Sequence, residues 1–137
     1  MTVHPLVTTF YDRIWNAGDY DVAEELLGED LAFRGSLGSR TEGIDGFLEY
    51  VDGVRRSLAG YRCVILEAVT EDDSCVARVR CSGRHVAPFR GVPPTGRRLS
   101  WDVAALFTMR HGRIAAVWVL GDLENLDRQL RGIEDGA

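Results

Sequence analysis

The sequence predicts an α+β domain, helices first and then an antiparallel run of long strands. Three observations carry that reading. Apolar residues between Leu6 and Leu58 recur mainly at helical spacing, residues 75–87 alternate with period two, and His111-Gly112 stands between two long apolar stretches as a tight hairpin signal. At 137 residues the chain is long enough for one packed domain, residues 1–137, and short for two.

Leu6, Phe10, Ile14 and Ala17, with Val7 and Tyr11 beside them, keep a helical period that Gly18 ends. A shorter helix follows, with Val22, Leu26 and Leu27 apolar and Gly28 closing it. Residues 31–37, apolar and bounded by glycine, read as a strand. From Ile44 through Phe47, Leu48, Val51 and Leu58 the period is helical again and stops at Gly60. Residues 61–70 form a strand, and residues 71–74 turn it into 75–87. There Cys75, Ala77, Val79, Cys81, Gly83 and His85 share one face, and Arg78, Arg80, Ser82 and Arg84 the other. Three of the four prolines make 88–97 a loop. Residues 98–110 and 113–121 are strands, and 122–131 is a short terminal helix.

The last hairpin sets an expected register. If Arg110 pairs with Arg113, Phe107 lies opposite Ala116, Ala105 opposite Trp118 and Trp101 opposite Asp122. One face then carries Trp101, Val103, Ala105, Phe107 and Met109 beside Ile114, Ala116, Trp118, Leu120 and Asp122. The reverse face, with Ala104, Leu106, Val117 and Val119, is also mostly apolar. A sheet apolar on both sides needs two covers, so the sequence predicts helices on one and a second copy, a homodimer, on the other.

Composition excludes several classes of function. A net charge of −5 argues against a nucleic-acid partner, which needs a basic face. All 16 basic residues are arginine, so no Schiff-base, pyridoxal-phosphate or phosphate-loop lysine is possible. Three cysteines without a C-x-x-C pair predict neither a disulfide framework nor a thiolate zinc site, and suit a reducing cytoplasm. The first residues lack a signal-peptide pattern, and the longest apolar run, residues 114–120, is far below a membrane span of about 20 residues. The three histidines are scattered, so no metal site and no cofactor is expected.

Asp122 has two readings. It follows Gly121 and precedes Leu123-Glu124-Asn125-Leu126, the place of a helix N-cap, where backbone N–H groups would hold it ionised. It could instead lean into an aromatic pocket whose desolvation suits proton transfer. Spacing alone favours the cap. His85 reads first as a satisfied core or rim histidine and second as an auxiliary catalytic group. Tyr11, Trp15, Phe33, Phe47, Trp101, Phe107 and Trp118 are candidates to line a cavity, each also accountable as core. Asp102 falls on the face opposite Asp122 in this register, which disfavours a two-aspartate site.

The run Gly83-x-His85, then Phe89-x-Gly91-Val92-Pro93-Pro94-Thr95-Gly96-Arg97, resembles the G-x-H…F-x-G-x-P-P-T-G-K/R segment of SnoaL-like polyketide cyclases and ester cyclases. Gly112-Arg113-Ile114, Trp118, Asp122 and Gln129-Leu130 follow that family's pattern in order and spacing. Upstream, Trp15-Asn16-x-Gly18-Asp19 and Gly43-x-x-x-Phe47 are similar to its first and third helices. The resemblance implies the cone-shaped α+β barrel of nuclear-transport-factor-2-like proteins, a curved antiparallel sheet around N-terminal helices. It also implies a deep hydrophobic pocket, homo-oligomers, and cofactor-free intramolecular aldol condensation of a polyketide in secondary metabolism. Asp122 stands where that family has its general acid/base. The sequence departs from the family at Ala116, often glutamate there, and in the absence of a histidine from residues 99–109.

Three readings therefore compete. The first is a cyclase-like enzyme using Asp122, with His85 as auxiliary donor and Trp118, Trp101 and Trp15 holding a planar substrate. The second is a non-catalytic protein that binds a small apolar ligand. The third is an epoxide hydrolase or isomerase on the same fold, which needs Asp102 or Arg98 beside Asp122 in the pocket.

Overall fold

The computed structural model describes residues 1–133. Pro5 at a first helical turn and His4, whose Nδ1 accepts the Leu6 N–H at 3.1 Å, start α1 (Pro5–Thr9). The chain then widens into a π-wound segment (Phe10–Asn16), where the Ala17 N–H reaches back five residues to the Asp12 carbonyl. The wider winding buries Phe10, Tyr11, Ile14 and Trp15 together. A 3-10 turn (Tyr20–Val22) and α2 (Ala23–Leu26) lead straight into β1 (Leu27–Arg34). Leu27 and Gly28, expected in the second helix, belong to this strand because Leu27 pairs with Ile114. The strand also ends at Arg34, short of the expected residue 37, and the three-residue β2 (Arg40–Glu42) has no counterpart in the sequence reading.

Helix α3 (Gly43–Ser57) packs its apolar stripe, Phe47, Val51 and Val54, inward. Next come β3 (Leu58–Glu71), β4 (Ser74–His85), β5 (Arg98–Arg110), β6 (Arg113–Gly121) and α4 (Leu123–Leu130). Gly60, expected to stop the helix, lies inside β3 at φ 66°, where the pairing with β4 skips between Ala59 and Arg62. The β5–β6 turn is as expected, with His111 and Gly112 both at positive φ.

The strands form one sheet in the order β2-β1-β6-β5-β4-β3. It is curved and unclosed, with β2 and β3 as edges. Every pairing is antiparallel except β1 with β6, which is parallel, so the expected antiparallel sheet is mixed at this one seam. The inner face packs on the π-wound segment and α3. Phe10 stacks on Phe47 at 5.5 Å and meets Phe107 edge-on at 5.2 Å, while Phe33 lies 4.7 Å from Phe47.

One register expectation is corrected. Arg110 pairs with Arg113 and Met109 with Ile114, but Thr108 pairs with Ala116, so Ala115 is an extra residue on β6. Beyond this bulge every side chain of β6 takes the face opposite to the expected one. Val117 and Val119 are buried, and Trp118 and Leu120 are 45% and 53% exposed on the outer face. Asp122 comes beside Asp102 rather than Trp101, its N–H bonding the Asp102 carbonyl at 3.0 Å.

Candidate functional site

Between the helices and the inner sheet face lies a narrow apolar cleft that encloses about 30 Å³, with further space opening to solvent. Tyr11 and Trp15 come from the π-wound segment, Tyr50 and Val54 from α3, Tyr61 and Cys63 from β3, and Cys81 from β4. Trp101 and Val103 of β5, Val119 of β6, Phe33 of β1 and the Ser36-Leu37 loop complete it with Phe10. Gly35 is required beside it, since a Cβ there would sit 2.6 Å from the Tyr50 hydroxyl.

Four of the residues expected to hold a substrate are in this wall: Tyr11, Trp15, Phe33 and Trp101. Phe47 and Phe107 are fully buried behind it and serve the core. Trp118 is not brought to the cleft. It lies on the outer sheet face with the Arg34 guanidinium 5.4 Å over its ring, because of the bulge at Ala115.

Three phenols face the cleft. Burial pushes Tyr11 and Tyr61 well above the usual tyrosine range and Tyr50 up to about 12. They are therefore neutral hydrogen-bond donors over the physiological range, suited to a carbonyl or enolate oxygen in an otherwise apolar space. Tyr50, Tyr61, Cys63 and Cys81 are absent from the sequence-derived candidates. The inward alternation of β4 marked Cys81, but Tyr50 and Tyr61 carry no motif.

His85 is fully buried and is not part of the cleft wall. Its Nδ1 accepts the Thr95 N–H at 3.2 Å and lies 3.0 Å from the Thr95 hydroxyl. An accepting Nδ1 puts the ring proton of the neutral imidazole on Nε2. Its backbone bonds Gly96 and Arg97, so the residue ties down the 88–97 loop.

Asp122 is exposed and caps α4, Oδ1 accepting the Asn125 N–H at 3.2 Å. It is not in the cleft wall, yet it follows Gly121, where a Cβ would sit 3.0 Å from the Cβ of Ser36, itself a wall residue. Oδ2 has no hydrogen-bond partner among the described residues. Asp102 turns to the outer face and pairs with Arg80 at 2.8 Å and Arg78 at 3.5 Å, which holds its carboxyl below the usual range. Arg98 bonds Ser82 on that same face. The Asp-Arg-Asp arrangement needed for epoxide hydrolysis is therefore not assembled in the cleft. No group of three or more histidine, cysteine or acidic residues among the described residues is placed to hold a metal ion, and no helix among them is long and apolar enough to cross a membrane.

The sequence matches the SnoaL-like polyketide cyclase family over residues 5–130. No curated protein matches it significantly. The fold is similar to a SnoaL-like polyketide cyclase from Agrobacterium tumefaciens strain C58, with 18% identity, a TM-score of 0.81, and coverage of 95% of this chain and 98% of that one. TsrD from Streptomyces laurentii is similar at 26% identity and TM-score 0.81, again over 95% and 98% of the two chains. AclR from Streptomyces galilaeus, a candidate hydroxylase, is similar at 19% identity and TM-score 0.78, over 94% and 95%. The nuclear-transport-factor-2-like architecture expected from the sequence is the one found.

Proposed function

Because the chain belongs to the SnoaL-like polyketide cyclase family, we propose that it takes a small, hydrophobic, polyketide-like substrate into the aromatic cleft and closes a ring on it by acid/base catalysis without a cofactor. The observation that supports this reading best is the cleft wall, apolar and aromatic with three neutral phenols among its residues. In this reading Trp15, Trp101 and Phe33 hold the planar body of the substrate. Its reacting end extends past Ser36 toward Asp122, whose Oδ2 takes a proton from the carbon between two carbonyls. The enolate attacks a second carbonyl of the same molecule, and the protonated Asp122 returns its proton to the new alkoxide. The tyrosine hydroxyls stabilise the enolate oxygen.

Asp122→Asn tests the assignment. Asparagine caps a helix about as well as aspartate, so stability should change by less than about 0.5 kcal/mol. Turnover of a polyketide ester should fall by about 100-fold or more. Unchanged turnover in a folded variant overturns the role of Asp122.

One observation favours a second reading, a non-catalytic binder of the same kind of ligand: among the described residues no carboxylate or imidazole lines the cleft. Tight binding without turnover, equal in the wild type and Asp122→Asn, selects it.

The outer face supports the expected homodimer as a proposal. Leu106, Trp118 and Leu120 are exposed side by side on β5 and β6, and a second copy covering them would remove apolar surface from water. Sedimentation equilibrium should give twice 15.2 kDa, and a single species of 15.2 kDa in dilute solution overturns it.

A further inference from the structure

Nothing in the catalytic reading uses Cys63 and Cys81. The two stand directly opposite each other on β3 and β4, and both belong to the cleft wall. The Cys63 N–H donates to Asn16 Oδ1 at 2.7 Å, and its carbonyl accepts from Asn16 Nδ2 at 2.9 Å, so neither group faces β4. This is therefore a non-hydrogen-bonded pair, in which Cα atoms approach to about 4.5 Å and side chains come closest. That spacing falls at the near end of the range of about 4.4–6.8 Å that a disulfide bridges. The sulfurs are unbonded and lie 3.9 Å apart.

Their surroundings divide the two thiols. Burial pushes Cys63 up, whereas the hydrogen bond from Cys63, aided by the Tyr61 hydroxyl, holds Cys81 down. The third cysteine, Cys75, is fully buried on β4 and lies outside the cleft wall.

We propose that Cys63 and Cys81 form a peroxide-oxidisable dithiol in the cleft wall, a modification site that closes to a cross-strand disulfide. Cys81 sulfur attacks one peroxide oxygen and the O–O bond breaks. The departing hydroxide takes the Cys81 proton and leaves as water, and Cys81 becomes a sulfenic acid. Cys63 sulfur then attacks Cys81 sulfur. The S–S bond forms, the S–O bond breaks, and the hydroxide leaves with the Cys63 proton as a second water. Two sulfurs give up two electrons in all, and the two peroxide oxygens receive them.

The test needs no substrate, so its failure leaves the cyclase reading untouched. Reduced full-length protein is treated with a few equivalents of hydrogen peroxide, and its thiols are counted in denaturant. Two of the three thiols should disappear, with the intact mass falling by about 2 Da and dithiothreitol reversing the change. Peptide mapping should join Cys63 to Cys81, and Cys75→Ser should behave as the wild type. Cys63→Ser should stop at oxygen adducts of Cys81, about 16 or 32 Da heavier. Cys81→Ser should react at least about tenfold more slowly. The wild-type result decides even where a variant fails to fold. Three intact thiols, a link through Cys75 or a link between two chains overturns the proposal.

Discussion

The protein is expected to unfold between about pH 10 and pH 12, in one transition that ionises Tyr11, Tyr50 and Tyr61 together. Burial disfavours the phenolate, so the native chain keeps these protons where the unfolded chain has released them above about 10. A raised folded value means that the stabilisation is fully present below the unfolded value and is lost as pH climbs through the folded one. For Tyr50, pushed up to about 12, the difference from 10.0 is worth about 3 kcal/mol, a large share of a typical domain stability of about 5–15 kcal/mol. Tyr11 and Tyr61 add to it in the same direction. Absorbance at the phenolate band should rise together with loss of circular dichroism, while Tyr20, the least buried of the four tyrosines, titrates ahead of them. Gradual ionisation of all four near pH 10 with an intact fold would contradict the burial of Tyr11, Tyr50 and Tyr61.

Of those phenols only Tyr11 is legible in the sequence as a cavity candidate. Helical period in 6–17 and 44–58 located the two segments that cover the inner face of the sheet, and alternation in β4 put Cys81 and His85 on that face correctly. Aromatic content pointed to Tyr11, Trp15, Phe33 and Trp101. Pairing was harder to read. Counting back from the Glu71–Ser74 pair sets Cys63 against Ser82, yet a register shift between Ile65 and Glu67 moves it opposite Cys81. The same kind of irregularity misplaced Trp118. Both faces of β6 are apolar, Val117 and Val119 on one and Trp118 and Leu120 on the other, so the period-two pattern holds equally well for either orientation. Ala115 carries no signal of a bulge. Phe10, Phe47 and Phe107 pack together inside the curved sheet, and the small Val117 and Val119 are the β6 side chains buried on that side.

A charge placed on each face of β6 should separate the two registers by stability. Val117 is 2% exposed, paired with Phe107 on one side and Phe33 on the other. Val117→Asp buries a carboxylate between Phe107 and Phe33, and the native state should lose more than about 4 kcal/mol or fail to form. Leu120→Asp enters a face that already carries Asp102 with Arg78 and Arg80, at a side chain 53% exposed, and should cost less than about 1 kcal/mol. The two variants differ by three positions on one strand, so strand propensity and distance from the turn cannot account for so wide a gap. Without the bulge at Ala115 the order reverses, because Leu120 would face the core and Val117 the outer surface. Denaturant midpoints of the two variants decide between these registers, and with them whether Val119 or Trp118 borders the cleft. Leu120→Asp also interrupts the apolar outer patch, and the one extra residue that turns Val119 toward the cleft is what turns Trp118 and Leu120 to the outer face.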